Sequence, residues 1–114
     1  MGVEPEGAAT LHRSVNAGRI VQLERIETAA ATLGALATEQ LNFDLVRKHV
    51  TEVVLVSDDE MRDAARWLWF ELGIAAELSG AAAVAAVLTG RYRAEKGERI
   101  CVLVCGAGAD GIPS

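Results

Sequence analysis

The sequence is poor in aromatic residues, proline and cysteine, and it has no long apolar run. Aromatic residues make up 4% and prolines number two, while 51% of residues are hydrophobic. Disordered and collagen-like chains have other compositions, so both classes are excluded. With few large side chains available, buried volume has to come from small residues on closely approaching elements, which suits helices lying on a sheet.

No segment has the length or pattern of a membrane anchor or an export signal. The most apolar stretch, residues 80–88, is far shorter than the roughly 20 residues that span a bilayer. Residues 1–18 contain no basic start followed by a long apolar run. We therefore expect a soluble, cytoplasmic protein without a membrane partner.

Length, charge and cysteine spacing further restrict the number of domains, the partners and the disulfides that the chain can have. The 114 residues fit one small domain. The net charge of -5 repels phosphate backbones, and the eleven Lys and Arg residues are scattered, so nucleic acid is excluded as a partner. Cys101 and Cys105 lie in an apparent strand, where four residues separate them by about 13 Å. A disulfide needs less than about 7 Å, so both are predicted to be reduced.

The order of local patterns predicts alternating strands and helices. The clearest signal is a capping box of Ser57 with Glu60, which begins a helix that Gly73 ends. Its predicted inner stripe is Met61, Ala64, Ala65, Leu68 and Leu72. Strands are predicted at 53–56, 74–77 and 99–105, with a weak one at 20–23. Helices are predicted at 8–17, 39–49 and 81–88, and residues 27–36 are left as helix or loop.

Strand, helix, strand, helix, strand with short connections is typical of parallel βαβ units. The predicted fold class is therefore α/β, a three-layer type of parallel sheet with flanking helices. Residues 1–114 are interpreted as a single partial domain, because the chain stops at Ser114 just after a strand, where a covering helix is expected.

Two features near strand ends are candidate ligand sites. Gly106, Gly108 and Gly111 spell G-x-G-x-x-G, but no helix follows them, so a dinucleotide loop lacks its context, and a loop for another ligand or a plain turn remains. Glu77 ends a strand just before a helix, where open α/β sheets bind ligands. His12 and His49 lack further ligands at zinc spacing and are interpreted as ordinary histidines.

Six short motifs follow one another in an order that resembles a known family. They are G-V-E-P at 2–5, E-T at 27–28, L-N-F at 41–43, V-S-D-D-E at 56–60, E-L-S-G-A-A-A at 77–83 and V-C-G-A at 104–107. Together they are similar to the second half of the catalytic fold of pyridoxal-phosphate-dependent serine/threonine dehydratases, relatives of serine racemase and the tryptophan synthase β subunit. The resemblance covers nearly the whole chain.

The resemblance implies roles for particular residues. Cys105, followed by Gly106 and Ala107, takes the cofactor-binding position that faces the pyridine nitrogen, and Glu77 matches a carboxylate near the ring. Glu4 and the Ala8 carbonyl match a cation site of some members, with oxygen ligands suited to magnesium or calcium. Thr10 stands where a metal-binding member has Asp, which argues against a complete metal site.

The family's catalytic lysine, in S-x-K-x-R, and its phosphate-binding run of glycines have no counterpart here. Lys48 and Lys96 have neither context. A Schiff-base mechanism needs such a lysine, so no catalytic residue is assigned, and the chain alone is expected to be inactive and to bind no pyridoxal phosphate covalently.

The leading interpretation is a truncated piece of a dehydratase-like enzyme, whose whole would convert L-threonine or L-serine to a 2-oxo acid and ammonia. Its partner is then either the missing amino-terminal half or a second copy of the chain. The alternative is a non-catalytic α/β scaffold acting through self-association or partner binding.

Overall fold

The computed structural model describes residues 1–114 and confirms the α/β class. Its elements are β1 (Gly2–Pro5), a 3-10 turn (Glu6–Ala8), α1 (Thr10–Ala17), a second 3-10 turn (Ala31–Leu33), α2 (Gln40–His49), β2 (Val53–Val56), α3 (Asp58–Leu72) and α4 (Leu78–Leu88). No helix combines the length and apolarity needed to cross a membrane.

The sheet is smaller than the sequence predicts. β1 and β2 form a parallel pair, in register from Gly2 opposite Val53 to Pro5 opposite Val56. Residues 20–23 and 99–105 form no strand, and residues 74–77 contribute only one antiparallel bridge, between Ala76 and Ala107. Those three strand predictions are wrong, because an extended apolar segment becomes a strand only when a neighbour accepts its backbone hydrogen bonds.

The helix signals are largely confirmed. The Ser57 side chain and the Glu60 side chain form the predicted reciprocal cap, and Gly73 ends α3 at a φ of 67°. Met61, Ala64, Ala65 and Leu68 are buried, but Leu72 is 57% exposed, so its place in the inner stripe is wrong. Leu72 is the last residue of α3 and does not belong to the core cluster.

The core is built mainly from small side chains, as the composition predicts. α3 and α4 pack closely on each other beside the sheet, and the core cluster contains eight alanines from residue 30 to residue 86. Met61, Leu68 and Val56 are the largest fully buried side chains of the chain. The start of α4 lies against the loop after residue 104.

Candidate functional site

The loop of residues 105–108 packs directly on the start of α4. The Glu77 N–H donates to the Gly106 carbonyl oxygen at 3.0 Å, and the Gly108 N–H donates to the Ala75 carbonyl oxygen at 3.2 Å. Ala107 forms the bridge with Ala76. The structure therefore brings together Glu77, Gly106 and Ala107, with Cys105 adjacent to them in the chain.

Two glycines allow this close approach. Gly106 has a φ of 77°, and a Cβ on it would collide with the Glu77 carboxylate. Gly80 lies in the first turn of α4, where a Cβ would collide with the Cys105 carbonyl oxygen. The G-x-G pattern thus serves close backbone packing against the helix start, which is a role that glycine alone fulfils.

Hydroxyl groups surround the Glu77 carboxylate. The Thr32 hydroxyl lies 3.3 Å from Glu77 Oε1 and is also hydrogen bonded to the Ser79 hydroxyl. Glu77 is half-buried, and the Cys105 thiol is free and exposed. We call these four residues, Thr32, Glu77, Ser79 and Cys105, the polar end.

An apolar trough of about 280 Å³ leads away from the polar end. One wall is formed by Met1 and Val3 of the β1 region, the other by residues 100–103 and Cys105, and the floor by Ala82, Ala83 and Val87 of α4. Ser79 and Cys105 contribute to the lining at the polar end. A mostly apolar concavity with a few polar groups is the common form of a small-molecule or cofactor site.

Two long-range hydrogen bonds have no signal in the local sequence. The Leu78 N–H at the start of α4 donates to Asp110 Oδ2 at 2.8 Å, so an acid after the loop caps the helix. The Thr28 hydroxyl donates to Asp58 Oδ1 at 2.5 Å, which joins two of the motif segments. Both pairs are at least 30 residues apart in the chain, and no local pattern signals such contacts.

Glu4, which the resemblance assigns to a cation site, is hydrogen bonded to backbone N–H groups in this structure. Its two carboxylate oxygens accept the Leu11 and His12 N–H groups, each at 2.9 Å, at the start of α1. Ala8 is fully buried. No group of three or more His, Cys, Asp or Glu side chains is arranged to hold a metal ion. The cation site at Glu4 and Ala8 therefore stays a prediction.

The two lysines lie away from the polar end and the trough. Lys48 is in the last turn of α2, and Lys96 is in the turn that precedes Glu98. Neither contributes to the lining of the trough.

Comparison with known proteins identifies the fold and the family that the chain matches. Residues 1–106 match the family model described as pyridoxal-phosphate dependent enzyme. The phenylserine dehydratase of Ralstonia pickettii is 42% identical over 110 residues, which are 96% of this chain and 34% of that enzyme. The L-threonine ammonia-lyase of Thermotoga maritima is 32% identical and is matched over 27% of its length. The chain thus spans about a third of the curated relatives it matches.

Solved structures agree with this match. A threonine deaminase from T.th. superposes with a TM-score of 0.76 at 35% identity, over 81% of this chain and 34% of that one. Maize serine racemase superposes with a TM-score of 0.74 at 35% identity, over 77% of this chain and 27% of that one. The arrangement of sheet, helices and loop is therefore shared with part of these enzymes.

Proposed function

Since the chain belongs to the pyridoxal-phosphate dependent enzymes, we propose that it is the carboxy-terminal part of a dehydratase for β-hydroxy amino acids such as L-threonine or L-serine. The whole enzyme eliminates water from the substrate, and the resulting enamine, through its imine tautomer, takes up water again to give a 2-oxo acid and ammonia. The names of the relatives support this class, since they include phenylserine dehydratase and β-hydroxyaspartate dehydratase.

The observation that carries the proposal is the polar end, where the thiol of Cys105 is exposed beside the Glu77 backbone at the mouth of an apolar trough. A flat heteroaromatic ring suits apolar walls, and a thiol is a neutral, weak hydrogen-bonding group for a ring nitrogen. The residues present therefore fit the ring of pyridoxal phosphate. When bound, the cofactor supplies the electron sink for the carbanion chemistry.

In this proposal, the residues of the chain hold the cofactor ring and orient the side chains around it. Cys105 would offer its neutral thiol to the ring nitrogen of the bound cofactor and so leave that nitrogen uncharged. Glu77 is oriented by the Thr32 hydroxyl and by the Gly106 carbonyl that accepts its backbone N–H. The tight packing of Gly106 and Gly80 fixes the loop against α4, so that the thiol is presented to the trough. Proton transfer at the substrate requires a lysine from outside residues 1–114.

The first test uses the chain alone. After incubation with pyridoxal phosphate, borohydride reduction and peptide mapping, we expect no stoichiometric adduct at Lys48 or Lys96 and no 2-oxo acid from L-threonine or L-serine. The reason is that neither lysine lines the trough. A stoichiometric adduct at either lysine together with 2-oxo acid production would overturn this division of roles.

The second test supplies the rest of the fold. We expect 2-oxo acid production when the chain is co-expressed with the two-thirds of the Ralstonia phenylserine dehydratase that it does not match. In that complex, Cys105→Ala should lower kcat about tenfold, the equivalent of one hydrogen bond worth roughly 1 to 1.5 kcal/mol. Cys101→Ala is the matched control and should leave kcat unchanged. Equal effects of the two substitutions would contradict the assigned role of Cys105.

A further inference from the structure

One short segment of the chain is fixed at its start by α3 and contacts the polar end with its last turn. We call residues 28–33 the bridging segment; it ends in the second 3-10 turn, Ala31–Leu33. Its start is hydrogen bonded to Asp58, the first residue of α3, and Thr32 in its last turn contacts Glu77. The bridging segment therefore links the first turn of α3 to the polar end.

Asp58 binds the start of the bridging segment with both carboxylate oxygens. Oδ1 accepts the Thr28 hydroxyl at 2.5 Å, and Oδ2 accepts the Ala29 N–H at 2.6 Å. The Thr28 oxygen in turn accepts the Ala30 N–H at 3.1 Å. Hydrogen bonds to a charged group are shorter and stronger than those between neutral groups. Asp58 thus fixes three consecutive residues of the segment.

The rest of the bridging segment is held against the core. Ala30 is 1% exposed and belongs to the core cluster, and Leu33 packs against that cluster. The Leu33 N–H donates to the Ala30 carbonyl oxygen at 2.9 Å, and the Gly34 N–H donates to the Ala31 carbonyl oxygen at 3.1 Å, which closes the turn. Closely packed segments transmit a displacement along their length. A shift of the segment's start therefore reaches Thr32.

Thr32 is the contact of the bridging segment with the polar end. Its hydroxyl lies 3.3 Å from Glu77 Oε1, the one hydrogen bond that the Glu77 carboxylate makes within the chain, and it is also hydrogen bonded to the Ser79 hydroxyl. Because a carboxylate only accepts hydrogen bonds, the Thr32 O–H is directed to Glu77, and the Ser79 O–H donates to the Thr32 oxygen. The orientation of the Glu77 carboxylate thus depends on where Thr32 lies.

We propose that Asp58 is a positioning residue of the dehydratase site, which holds the bridging segment so that the Thr32 hydroxyl orients the Glu77 carboxylate beside the cofactor ring. Asp58 is hydrogen bonded to neither Glu77 nor Ser79 and does not line the trough, so it acts through the bridging segment. The place of the ring rests on the proposed function, whereas the link from Asp58 to Glu77 is measured on the chain alone.

An acidic residue at the start of a helix also stabilises the helix itself, and this effect needs a control. Asp58 and Asp59 both lie in the first turn of α3, where a negative charge interacts favourably with the helix dipole. Asp59 is exposed and pairs with Arg62 of the same helix at 2.7 Å. Asp59→Asn is the matched control, because it removes the same charge from the same turn and leaves the contacts of the bridging segment intact.

The carboxyl 13C resonance of Glu77 in the isolated chain tests the link. Asp58→Asn keeps the side-chain size but can accept only one of the two hydrogen bonds, so it should move this resonance in the same direction as Thr32→Val. The double variant should move it no further than the larger single change, because both substitutions interrupt one path. Thr28→Val should act like Asp58→Asn, whereas Thr28→Ser, which keeps the hydroxyl, and Asp59→Asn should leave the resonance in place.

Hydrogen exchange and kinetics supply two further readouts. The Leu33 and Gly34 amides should exchange about tenfold faster in Asp58→Asn, as expected for the loss of one hydrogen bond, and at an unchanged rate in Asp59→Asn. In the co-expressed complex with the unmatched two-thirds of the Ralstonia phenylserine dehydratase, Asp58→Asn and Thr32→Val should lower kcat by similar factors. Both should change KM less than kcat, because Glu77 orients groups at the ring in this proposal.

The outcomes separate this proposal from the proposed function. Equal movements of the Glu77 resonance in Asp58→Asn and Asp59→Asn, or additive movements in the double variant of Asp58 and Thr32, overturn the positioning role, and an active complex then leaves the dehydratase function standing. If the resonance responds as expected but the complex makes no 2-oxo acid, the link is supported and the function is overturned. If Asp58→Asn does not fold, an unmoved Glu77 resonance in Thr28→Val overturns the positioning role by itself.

Discussion

Single atoms decide how closely the loop and helix of the site approach each other. At Gly80, a Cβ would lie almost on the Cys105 carbonyl oxygen, so the first turn of α4 and the loop touch through backbone alone. At Gly108, a Cβ would lie 2.7 Å from the Glu77 Cβ. Because these positions carry no side chain, the loop can approach the start of α4 closely enough for Glu77 and Cys105 to lie side by side.

Gly80→Ala is expected to destabilise the chain despite its helical position. Alanine favours a helix interior by about 1 kcal/mol over glycine, but the added methyl group must displace the Cys105 carbonyl, and overpacking of this kind costs about 1 to 3 kcal/mol. Urea unfolding should therefore show a net loss of stability, and hydrogen exchange should show a loosened start of α4.

Gly73→Ala is the control for this substitution. Gly73 has open space around its Cβ position but a φ of 67°, so alanine there costs only the left-handed conformation, about 1 to 2 kcal/mol. It should lower stability without loosening the start of α4. A gain of stability in Gly80→Ala would show that the close contact at the loop is absent in solution.

Among the elements, α3 has the most complete local signals, and its boundaries are the ones that the sequence predicts best. Ser57, Glu60 and Gly73 contact residues only a few positions away in the chain, so their roles can be predicted without knowledge of the fold. The strand predicted at 99–105 is different, because its apolar alternation is a local signal, but the structure gives it no hydrogen-bonded neighbour. For the same reason, local patterns do not predict the hydrogen bond from the Leu78 N–H to Asp110, because the two residues are 32 positions apart in the chain.

The capping box of α3 should make stability depend on pH. The Glu60 side chain is 21% exposed; Oε2 accepts the Ser57 N–H at 2.8 Å, and Oε1 faces Arg91 at 3.0 Å. Burial on its own raises the pKa of Glu60, but the Ser57 N–H and the Arg91 guanidinium outweigh it and hold the pKa below the ordinary value of 4.5. The folded state therefore binds this proton less readily than the unfolded state does.

Because the folded pKa is lowered, the stabilisation from Glu60 is fully present above about pH 4.5 and is lost as the pH falls through the folded pKa. Glu60→Gln keeps the neutral hydrogen bond to Ser57 and loses the charge, so it should cost about 1 kcal/mol at pH 7 and little at pH 3. Urea midpoints measured across pH 3 to 7 provide the check. Asp63→Asn, at an exposed acid of α3 outside the cap, should leave the pH dependence intact.

On the scale of the whole molecule, little of the chain is protected from water. Only 22 of 114 residues are buried, and the radius of gyration of 14.3 Å exceeds the roughly 13 Å expected for this length. Composition correctly predicts a core of alanines on closely packed helices. It overstates how much of that apolar content is covered, since Leu103, Phe70 and Leu41 are each more than 60% exposed.

The isolated chain is therefore expected to be less stable than an ordinary domain, with a free energy of unfolding below the roughly 5 to 15 kcal/mol of native proteins. Adding the unmatched two-thirds of the Ralstonia enzyme should raise it, because a partner that binds only the folded chain contributes RT ln(1 + [L]/Kd), about 2.7 kcal/mol at a concentration of 100 Kd. Urea unfolding followed by the fluorescence of a chain labelled at Cys101 would measure both states. The expectation is wrong if the chain alone unfolds cooperatively with a free energy of unfolding above about 5 kcal/mol and the added part leaves that value unchanged. The exposed trough would then not destabilise this fold.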